Sequence, residues 1–267
     1  MRSNSKVGSR STQEWLPSQA KKMGILGVLG GMGPLATVDF MSKVILHTPA
    51  SQDQDHIPML VSSIPQVPDR TLAYRGEGAS PLEAMLLNVK RLVVGGANGL
   101  VITCNTAHFW FDEIRKAAKL PMIHIADAAL ETAAKATGHH PTLGLLATDA
   151  TVASGLYFSR EVSDVYGGRI QAEWVLPTVI EMNELVMPGI MAVKAGNILE
   201  GRRLLSRAGS CLKRRGAIAL VLGCSEIPIV LKCEDLDILL IDATDALAEK
   251  AVNWSMNYGF KGSGRKN

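Results

Sequence analysis

The chain has 267 residues, 47% of them hydrophobic and 20% charged, so it can bury a sizeable core. Its formal charge of +3 comes from its two ends: without residues 1–22 and 261–267, 20 basic residues stand against 24 acidic ones. A slightly acidic body argues against a nucleic-acid-binding surface, and no apolar run approaches the roughly 20 residues of a membrane span, so neither kind of partner is expected.

Both ends of the chain are predicted to be tails. Residues 1–22 are rich in Ser and in basic residues and lack an apolar core, which favours disorder over a secretory signal. Residues 261–267 form a second basic tail. Four cysteines in a chain of this length make no disulfide framework, and none forms a Cys-x-x-Cys pair. Free thiols indicate a reducing compartment, so we expect a cytoplasmic protein.

The fold is predicted to begin with a buried strand over residues 23–29. This strand runs through Gly30-Gly31-Met32-Gly33 into a helix that begins at Pro34. Glycines at such a turn let backbone N–H groups approach an anion closely. Their spacing matches neither the dinucleotide fingerprint nor a P-loop, so nucleotide binding is not expected.

Strands and helices alternate through the rest of the chain. A strand over 57–63 leads into a proline-stiffened loop over 64–71, which would hold Arg70 in one orientation. The further predicted elements are, in chain order, a helix over 81–97, strands over 100–103 and 121–124, a helix over 126–136, strands over 142–147 and near 169–176, helical segments over 177–215 with a break near Pro188, strands over 217–222 and 238–241, and a helix over 243–258.

This alternation predicts an α/β fold of two similar lobes, each a mainly parallel sheet flanked by helices, with the active site in the cleft between them. The order strand, turn, helix that opens the fold recurs from residue 142, after a break at residues 138–141. We therefore assign residues 23–137 plus 238–260 to the first lobe and residues 138–237 to the second.

Two cysteines occupy the same kind of position in the two predicted lobes. Cys104 follows the strand over 100–103, and Cys224 follows the strand over 217–222 and one glycine. Open α/β sheets bind ligands at the carboxyl ends of their strands, and the first turn of a following helix would favour a thiolate over a thiol. Cys211 and Cys233 lack this setting and are expected to be small buried hydrophobic residues.

A thiolate and a thiol on opposite faces of a carbon acid form a base and an acid of matched strength. The first removes a proton and the second delivers one from the other side, which inverts a stereocentre without a cofactor. The carbanion needs its charge stabilised on an adjacent carboxylate. The candidate donors follow the strand ends: Asn105, Thr106, Ser225, and the turns after Met32 and Thr148.

A substrate side chain that carries a carboxylate would also need a cation. Arg70 fits a bidentate contact better than Lys194, whose ammonium acts as a point charge, although either could be a solvated surface charge. His108 and Glu226 follow the two thiols by four and two residues, and each could orient a thiol or bond only to the backbone. A metal is not expected, since the His139-His140 pair has no further ligand nearby in sequence.

These residues resemble the aspartate/glutamate racemase family, in the family's order, over about residues 23–258. The matching segments are Gly30-Gly31-Met32-Gly33-Pro34 with Ala36-Thr37, Ile64-Pro65 to Arg70-Thr71, Cys104-Asn105-Thr106-Ala107-His108, Gly144-Leu145-Leu146-Ala147-Thr148, Val193-Lys194-Ala195-Gly196 and Gly223-Cys224-Ser225-Glu226. One departure is Ser225, where the family usually has Thr.

The resemblance implies a cofactor-independent amino-acid racemase with an active site between two similar lobes, usually a homodimer. By the same resemblance, Cys104 and Cys224 are the catalytic bases, and Arg70 and Lys194 hold the substrate's side-chain carboxylate. The residues it places near the α-carboxylate are Asn105, Thr106, Thr148 and Ser225.

The predicted function is racemisation of aspartate, with glutamate as a second substrate. Because both cysteines are present, a reversible reaction is favoured. Three alternatives stay open: a broad-specificity amino-acid racemase, an isomerase of a small dicarboxylic acid with one cysteine as nucleophile, and a small-anion binding protein without activity.

Overall fold

The computed structural model describes residues 23–160 and 170–259. The elements up to residue 137 are β1 (Leu26–Gly30), α1 (Pro34–His47), a 3₁₀ turn (Asp53–Asp55), β2 (Met59–Ser63), α2 (Arg70–Tyr74), α3 (Leu82–Val94), β3 (Gly99–Ile102), a 3₁₀ segment (Thr106–Trp110), α4 (Phe111–Ala118) and α5 (Ile125–Thr137). The later elements are β4 (Thr142–Ala147), α6 (Asp149–Ala153), β5 (Glu173–Val175), α7 (Val179–Glu181), a π turn (Met182–Val186), α8 (Met187–Lys194), α9 (Ile198–Arg214), β6 (Ala219–Gly223), α10 (Ile227–Val230), a 3₁₀ turn (Cys233–Asp235), β7 (Leu239–Asp242) and α11 (Ala243–Met256).

Two parallel sheets form the framework. The first has the strand order β2-β1-β3, and the predicted strand over 121–124 is reduced there to one parallel bridge between Leu100 and Met122. The second has the order β5-β4-β6-β7. Strands β1, β3 and β6 are buried along their whole length, as expected for parallel strands with both faces covered. The two helix-flanked parallel sheets confirm the predicted fold class.

Helices α5 and α11 lie in the core that the two sheets share. Their small apolar residues, among them Ala129, Ala133 and Ala251, belong to one buried cluster with Val28 of β1 and Leu145 of β4. Helix α11 also packs against α1. Separate clusters cover the other faces, with α3 and α4 on the first sheet and α8 and α9 on the second. The two lobes are therefore joined through a common apolar layer.

Strand β7 lies in the second lobe, so the predicted assignment of its residues to the first lobe is wrong. Residues 238–260 were assigned to the first lobe, yet β7 pairs in parallel with β6 at the edge of the second sheet. Its register joins Ala219 to Leu239 and Leu222 to Asp242. A four-residue apolar strand carries no pattern that selects one sheet over the other, because both sheets present apolar neighbours.

The break predicted near Pro188 is a local change in helix geometry. Pro188 stands in the first turn of α8 and has no N–H to continue the hydrogen bonds of the preceding helix. The five residues before α8 form a π turn, which accommodates the proline ring while the chain stays helical from Val179 to Lys194.

Within residues 23–160 and 170–259, no helix combines the length and the apolar character that a bilayer crossing requires. The same ranges contain no group of three or more His, Cys, Asp or Glu side chains arranged to hold a metal ion.

Candidate active site

A small cavity opens where the carboxyl ends of the two sheets face each other, and the space between its lining atoms, including space open to solvent, is about 270 Å³. It is smaller than the pockets that hold drug-sized ligands. The structure brings all nine residues selected from the sequence into its lining: Met32, Arg70, Cys104, Asn105, Thr106, Thr148, Lys194, Cys224 and Ser225. Asp69, Thr71 and Glu226 complete it.

The turn after β1 depends on two glycines. Gly31 has a φ of +83°, and a Cβ there would lie 2.3 Å from the backbone of Ile64. The Gly31 N–H donates to Thr37 Oγ1 at 2.8 Å, and a Cβ on Gly30 would collide with the Thr37 side chain. This close packing places Met32 at the cavity.

Cys104 and Cys224 follow β3 and β6 as predicted, and they are equally buried, with 6% and 5% of their surfaces exposed. A helix follows each thiol, as predicted, but neither helix begins directly at the thiol. Cys104 is followed by the five-residue 3₁₀ segment, and α4 begins only at Phe111; Cys224 is followed by the four-residue α10. Such short elements carry little macrodipole, so they offer a neighbouring anion little stabilisation.

The other two cysteines differ from the expectation of buried hydrophobic residues. Cys233 is exposed, and Cys211 is half-buried beside the guanidinium of Arg214. Cys211 still packs against the buried cluster of the second sheet, whereas Cys233 begins a 3₁₀ turn at the surface. Neither lines the cavity.

Glu226 gives Cys224 a hydrogen-bond partner. The thiol donates to Glu226 Oε2 at 3.0 Å, and the hydroxyl of Ser225 donates to the same oxygen at 3.4 Å. Glu226 is only 4% exposed, and its Oε1 has no partner among the described residues. Burial and the negative charge of Glu226 raise the pKa of the Cys224 thiol well above its usual range, against a smaller opposing effect of Lys194.

His108 does not contact a thiol. Its Nδ1 donates to the carbonyl oxygen of Cys104 at 2.9 Å, and its Nε2 accepts from the backbone N–H of Ile125 at 3.2 Å. Burial, with the neighbouring His124, lowers its pKa well below the usual value, so the ring is neutral. Of the two roles left open for His108, the structure therefore shows backbone bonding; for Glu226 it shows contact with a thiol.

Arg70 is a buried cation, and the reading as a solvated loop charge is wrong. It is the first residue of α2 and only 9% exposed. Its Nη1 donates to the carbonyls of Val67 at 3.1 Å and Pro68 at 2.9 Å, and its Nη2 to that of Met32 at 3.5 Å. Nε is buried and has no hydrogen-bond partner in residues 23–160 and 170–259. The proline loop thus fixes the guanidinium at the wall of the cavity.

Lys194, the last residue of α8, stands at the cavity mouth and remains exposed. Burial of its ammonium alone would lower its pKa, but the charges of Glu226 and Cys224, together with Cys104 and Asp69, raise it. The side chain is therefore a positive charge that faces the anionic groups of the cavity.

Three threonine hydroxyls connect the two lobes beside the cavity. Thr106 lies 3.0 Å from Thr148 and 2.9 Å from Thr151, oxygen to oxygen, and Thr148 lies 2.9 Å from Thr151. Thr148 also caps α6 by accepting the N–H of Thr151 at 3.2 Å. This threonine triangle holds the segment after Cys104 against the turn after β4.

Tyr157 is a cavity-supporting residue that sequence reasoning missed. Its hydroxyl donates to Asn105 Oδ1 at 2.5 Å across 52 positions of the chain, and the whole side chain is buried. Burial, with the charges of Cys224 and Asp242, raises the pKa of Tyr157, so the phenol stays neutral. The Nδ2 of the same amide is buried and has no partner within the part of the chain that the structure describes.

Four buried side-chain polar atoms lack a hydrogen-bond partner among the described residues, and three of them belong to this cavity. They are Arg70 Nε, Asn105 Nδ2 and Glu226 Oε1; the fourth is His56 Nδ1. Folded proteins rarely leave such atoms unpaired, because each costs about 1–3 kcal/mol. Two unpaired donors and one unpaired acceptor match a small ligand that carries both negative and positive groups.

Comparison with known proteins agrees with this architecture. The sequence model of the Asp/Glu/hydantoin racemase family matches residues 29–251. The chain belongs to this family. Among solved structures, the Picrophilus torridus aspartate racemase shares 31% identity and a TM-score of 0.76, and the match covers 87% of this chain and 94% of that racemase.

Two further racemase relatives extend the comparison. The broad-specificity amino-acid racemase RacX of Bacillus subtilis (strain 168) is 25% identical over 242 residues, which cover 88% of this chain and 99% of RacX. The glutamate racemase of Francisella tularensis, solved with D-glutamate, shares the fold with a TM-score of 0.58 at 17% identity, over 87% of this chain and 80% of that one.

Proposed function

We propose that the protein racemises aspartate, with glutamate as a second substrate, by acid/base catalysis between Cys104 and Cys224. The single observation that carries this proposal is the convergence of both equally buried thiols on one small cavity, in which three buried polar atoms have no partner among the described residues.

In the proposed reaction, one cysteine acts as a thiolate and removes the α-proton, while the other acts as a thiol and protonates the opposite face. The negative charge that develops on the α-carboxylate is stabilised by donors from the turns after the strands, foremost the unpaired Nδ2 of Asn105. After one turnover the two sulfurs have exchanged roles. Every proton is accounted for by the two thiols, so the scheme needs no cofactor.

Preference for an acidic substrate rests on Arg70 and Lys194. A buried guanidinium with a free Nε offers a directional contact to a side-chain carboxylate, and the ammonium at the mouth adds a second positive charge. The similarity to an aspartate racemase favours aspartate, whereas the similarity to RacX favours the broad-specificity alternative. Activity across a panel of amino acids separates the two.

The reaction can be tested in heavy water. Incubation of the pure protein with L-aspartate, without added pyridoxal phosphate, should give D-aspartate that carries α-deuterium. Early in the reaction, deuterium should be higher in the product than in the remaining substrate, because the thiol that delivers the new proton has exchanged with solvent. Chiral chromatography coupled to mass spectrometry measures both. The absence of both inversion and α-deuterium across a panel of amino acids would refute the racemase function.

Tyr157→Phe tests the support of Asn105. The change removes only a hydroxyl, so we expect the KM for aspartate to rise about 3- to 10-fold, the equivalent of one lost hydrogen bond, with a smaller change in kcat. Steady-state kinetics should be compared with the same change in an Asn105→Ala background. If the hydroxyl acts through Asn105, the effect disappears there; an equal effect in both backgrounds would contradict this role.

The homodimer and the cytoplasmic location remain predictions. Sedimentation equilibrium of the purified protein tests the first, and fractionation of the source cells tests the second.

A further inference from the structure

The contact between Cys224 and Glu226 makes the two thiols unequal. The sulfur of Cys224 lies 3.0 Å from Glu226 Oε2, with both groups buried. A thiol can donate a hydrogen bond to a carboxylate, but a thiolate at this distance would repel it. Since a thiol is the weaker acid by about four pKa units in reference peptides, the shared proton belongs on sulfur.

The other charged groups around Cys224 do not reverse this preference. Arg70 and Asp69 line the cavity with opposite charges, and Tyr157 is neutral. Lys194 favours a thiolate, but its effect on the pKa of Cys224 is smaller than that of Glu226. Glu226 touches the sulfur directly and is shielded from water.

Cys104 has no comparable neighbour. Among the described residues, no carboxylate accepts a hydrogen bond from its sulfur, and the neutral His108 bonds to its carbonyl oxygen instead. Its exposed fraction, 6%, matches the 5% of Cys224. A difference in the reactivity of the two thiols would therefore reflect their surroundings in charge and hydrogen bonding, since burial is the same.

We infer that Glu226 is a positioning residue that holds Cys224 as the protonated thiol in the substrate-free enzyme, which leaves Cys104 to ionise and remove the first α-proton. This inference rests on the proposed racemase function. In the first turnover the α-hydrogen passes to Cys104 as a proton, and the Cys224 proton passes to the opposite face of the carbanion. Cys224 is then a thiolate beside Glu226, a form of higher free energy, and the resting form returns when Cys224 gains a proton from water and Cys104 loses one.

The inference is tested by alkylation of the substrate-free protein. Brief treatment with iodoacetamide, which is uncharged, followed by peptide mapping gives the rate at each cysteine between pH 6 and pH 9. At pH 7 we expect Cys104 to react at least about 10 times faster than Cys224, because the thiolate is the nucleophile. The rate at Cys224 should rise to its plateau at a higher pH than the rate at Cys104.

Glu226→Gln provides the decisive comparison, because it keeps the side-chain shape and removes the charge. In this variant the rate at Cys224 should rise severalfold while that at Cys104 changes little. The upper limb of the pH–rate profile of racemisation, where the acid Cys224 loses its proton, should move to lower pH. Glu234→Gln, an exposed carboxyl outside the cavity, is the matched control and should leave both rates unchanged.

Equal alkylation rates at Cys104 and Cys224 in the parent protein would overturn the inference, even if Glu226→Gln failed to fold. An unchanged Cys224 rate in a folded Glu226→Gln variant would overturn it as well. Racemisation in heavy water by the same parent preparation separates the two proposals. If racemisation is observed but the alkylation rates at Cys104 and Cys224 are equal, only the role of Glu226 is refuted. If no racemisation is observed, the racemase function is refuted.

Discussion

Cys104→Ala and Cys224→Ala should each lower the rate of aspartate racemisation by at least about 10²- to 10⁴-fold, the range that a positioned acid or base contributes. Both variants should fail in both directions, because each thiol is the base for one enantiomer and the acid for the other. Chiral chromatography of reactions started from L-aspartate and from D-aspartate measures the two directions separately.

The chain supplies its own controls for these variants. Cys211→Ala and Cys233→Ala remove thiols that do not line the cavity and should retain nearly all activity. Because racemisation has an equilibrium constant of one, kcat/KM must be equal for the two enantiomers in every variant, which checks the measurements. Turnover close to that of the parent in either Cys104→Ala or Cys224→Ala would exclude that residue as an essential base.

Arg70→Met should lower kcat/KM for aspartate by about 10- to 150-fold, the loss expected when a hydrogen bond to a charged group worth about 1.5–3 kcal/mol is removed. The apolar stem is kept, so the change acts mainly through the guanidinium. Alanine, which has no side-chain carboxylate, should lose much less. Steady-state kinetics on the two substrates give the ratio that reports on side-chain recognition.

Two controls distinguish a loss of side-chain recognition from a general effect of the substitution on the fold. Arg70 also holds the carbonyls of Val67 and Pro68, so the thermal midpoint of the variant must be measured beside its kinetics. Arg75→Met removes an exposed guanidinium five positions away that pairs with Asp149, and it should leave the substrate ratio unchanged. Equal losses on aspartate and alanine in Arg70→Met would show that Arg70 does not recognise the side chain.

The cavity can be predicted from the sequence because position along a parallel strand determines position in the fold. The carboxyl ends of β3 and β6 lie at corresponding edges of their sheets, so residues that follow them, such as Cys104 and Cys224, converge whatever the details of packing. The prolines before Arg70 similarly predict, from local sequence alone, that its side chain is held in one orientation. Each of these predictions needed only the local pattern of the chain.

What escaped the sequence depends on side-chain packing between distant segments. The carboxylate of Glu226 could equally have bonded to the backbone, and only its buried rotamer brings it to the sulfur of Cys224. In the sequence, Tyr157 looks like an ordinary core aromatic. Its contact with Asn105 cannot be predicted locally, because the two residues lie in opposite lobes. The pairing of β7 with β6 likewise depends on the three-dimensional structure, because the four residues of β7 do not indicate which strand lies beside them.

The threonine triangle has a consequence for how the α-carboxylate can be bound. A hydroxyl has one hydrogen to give, so three hydroxyls that bond to one another in a ring donate every hydrogen within the ring and offer only lone pairs outside it. An incoming carboxylate therefore competes with Thr148 and Thr151 for the hydrogen of Thr106. Capturing it removes one of the two hydrogen bonds by which Thr106 contacts Thr148 and Thr151, so a carboxylate bound there would weaken the connection between the two lobes.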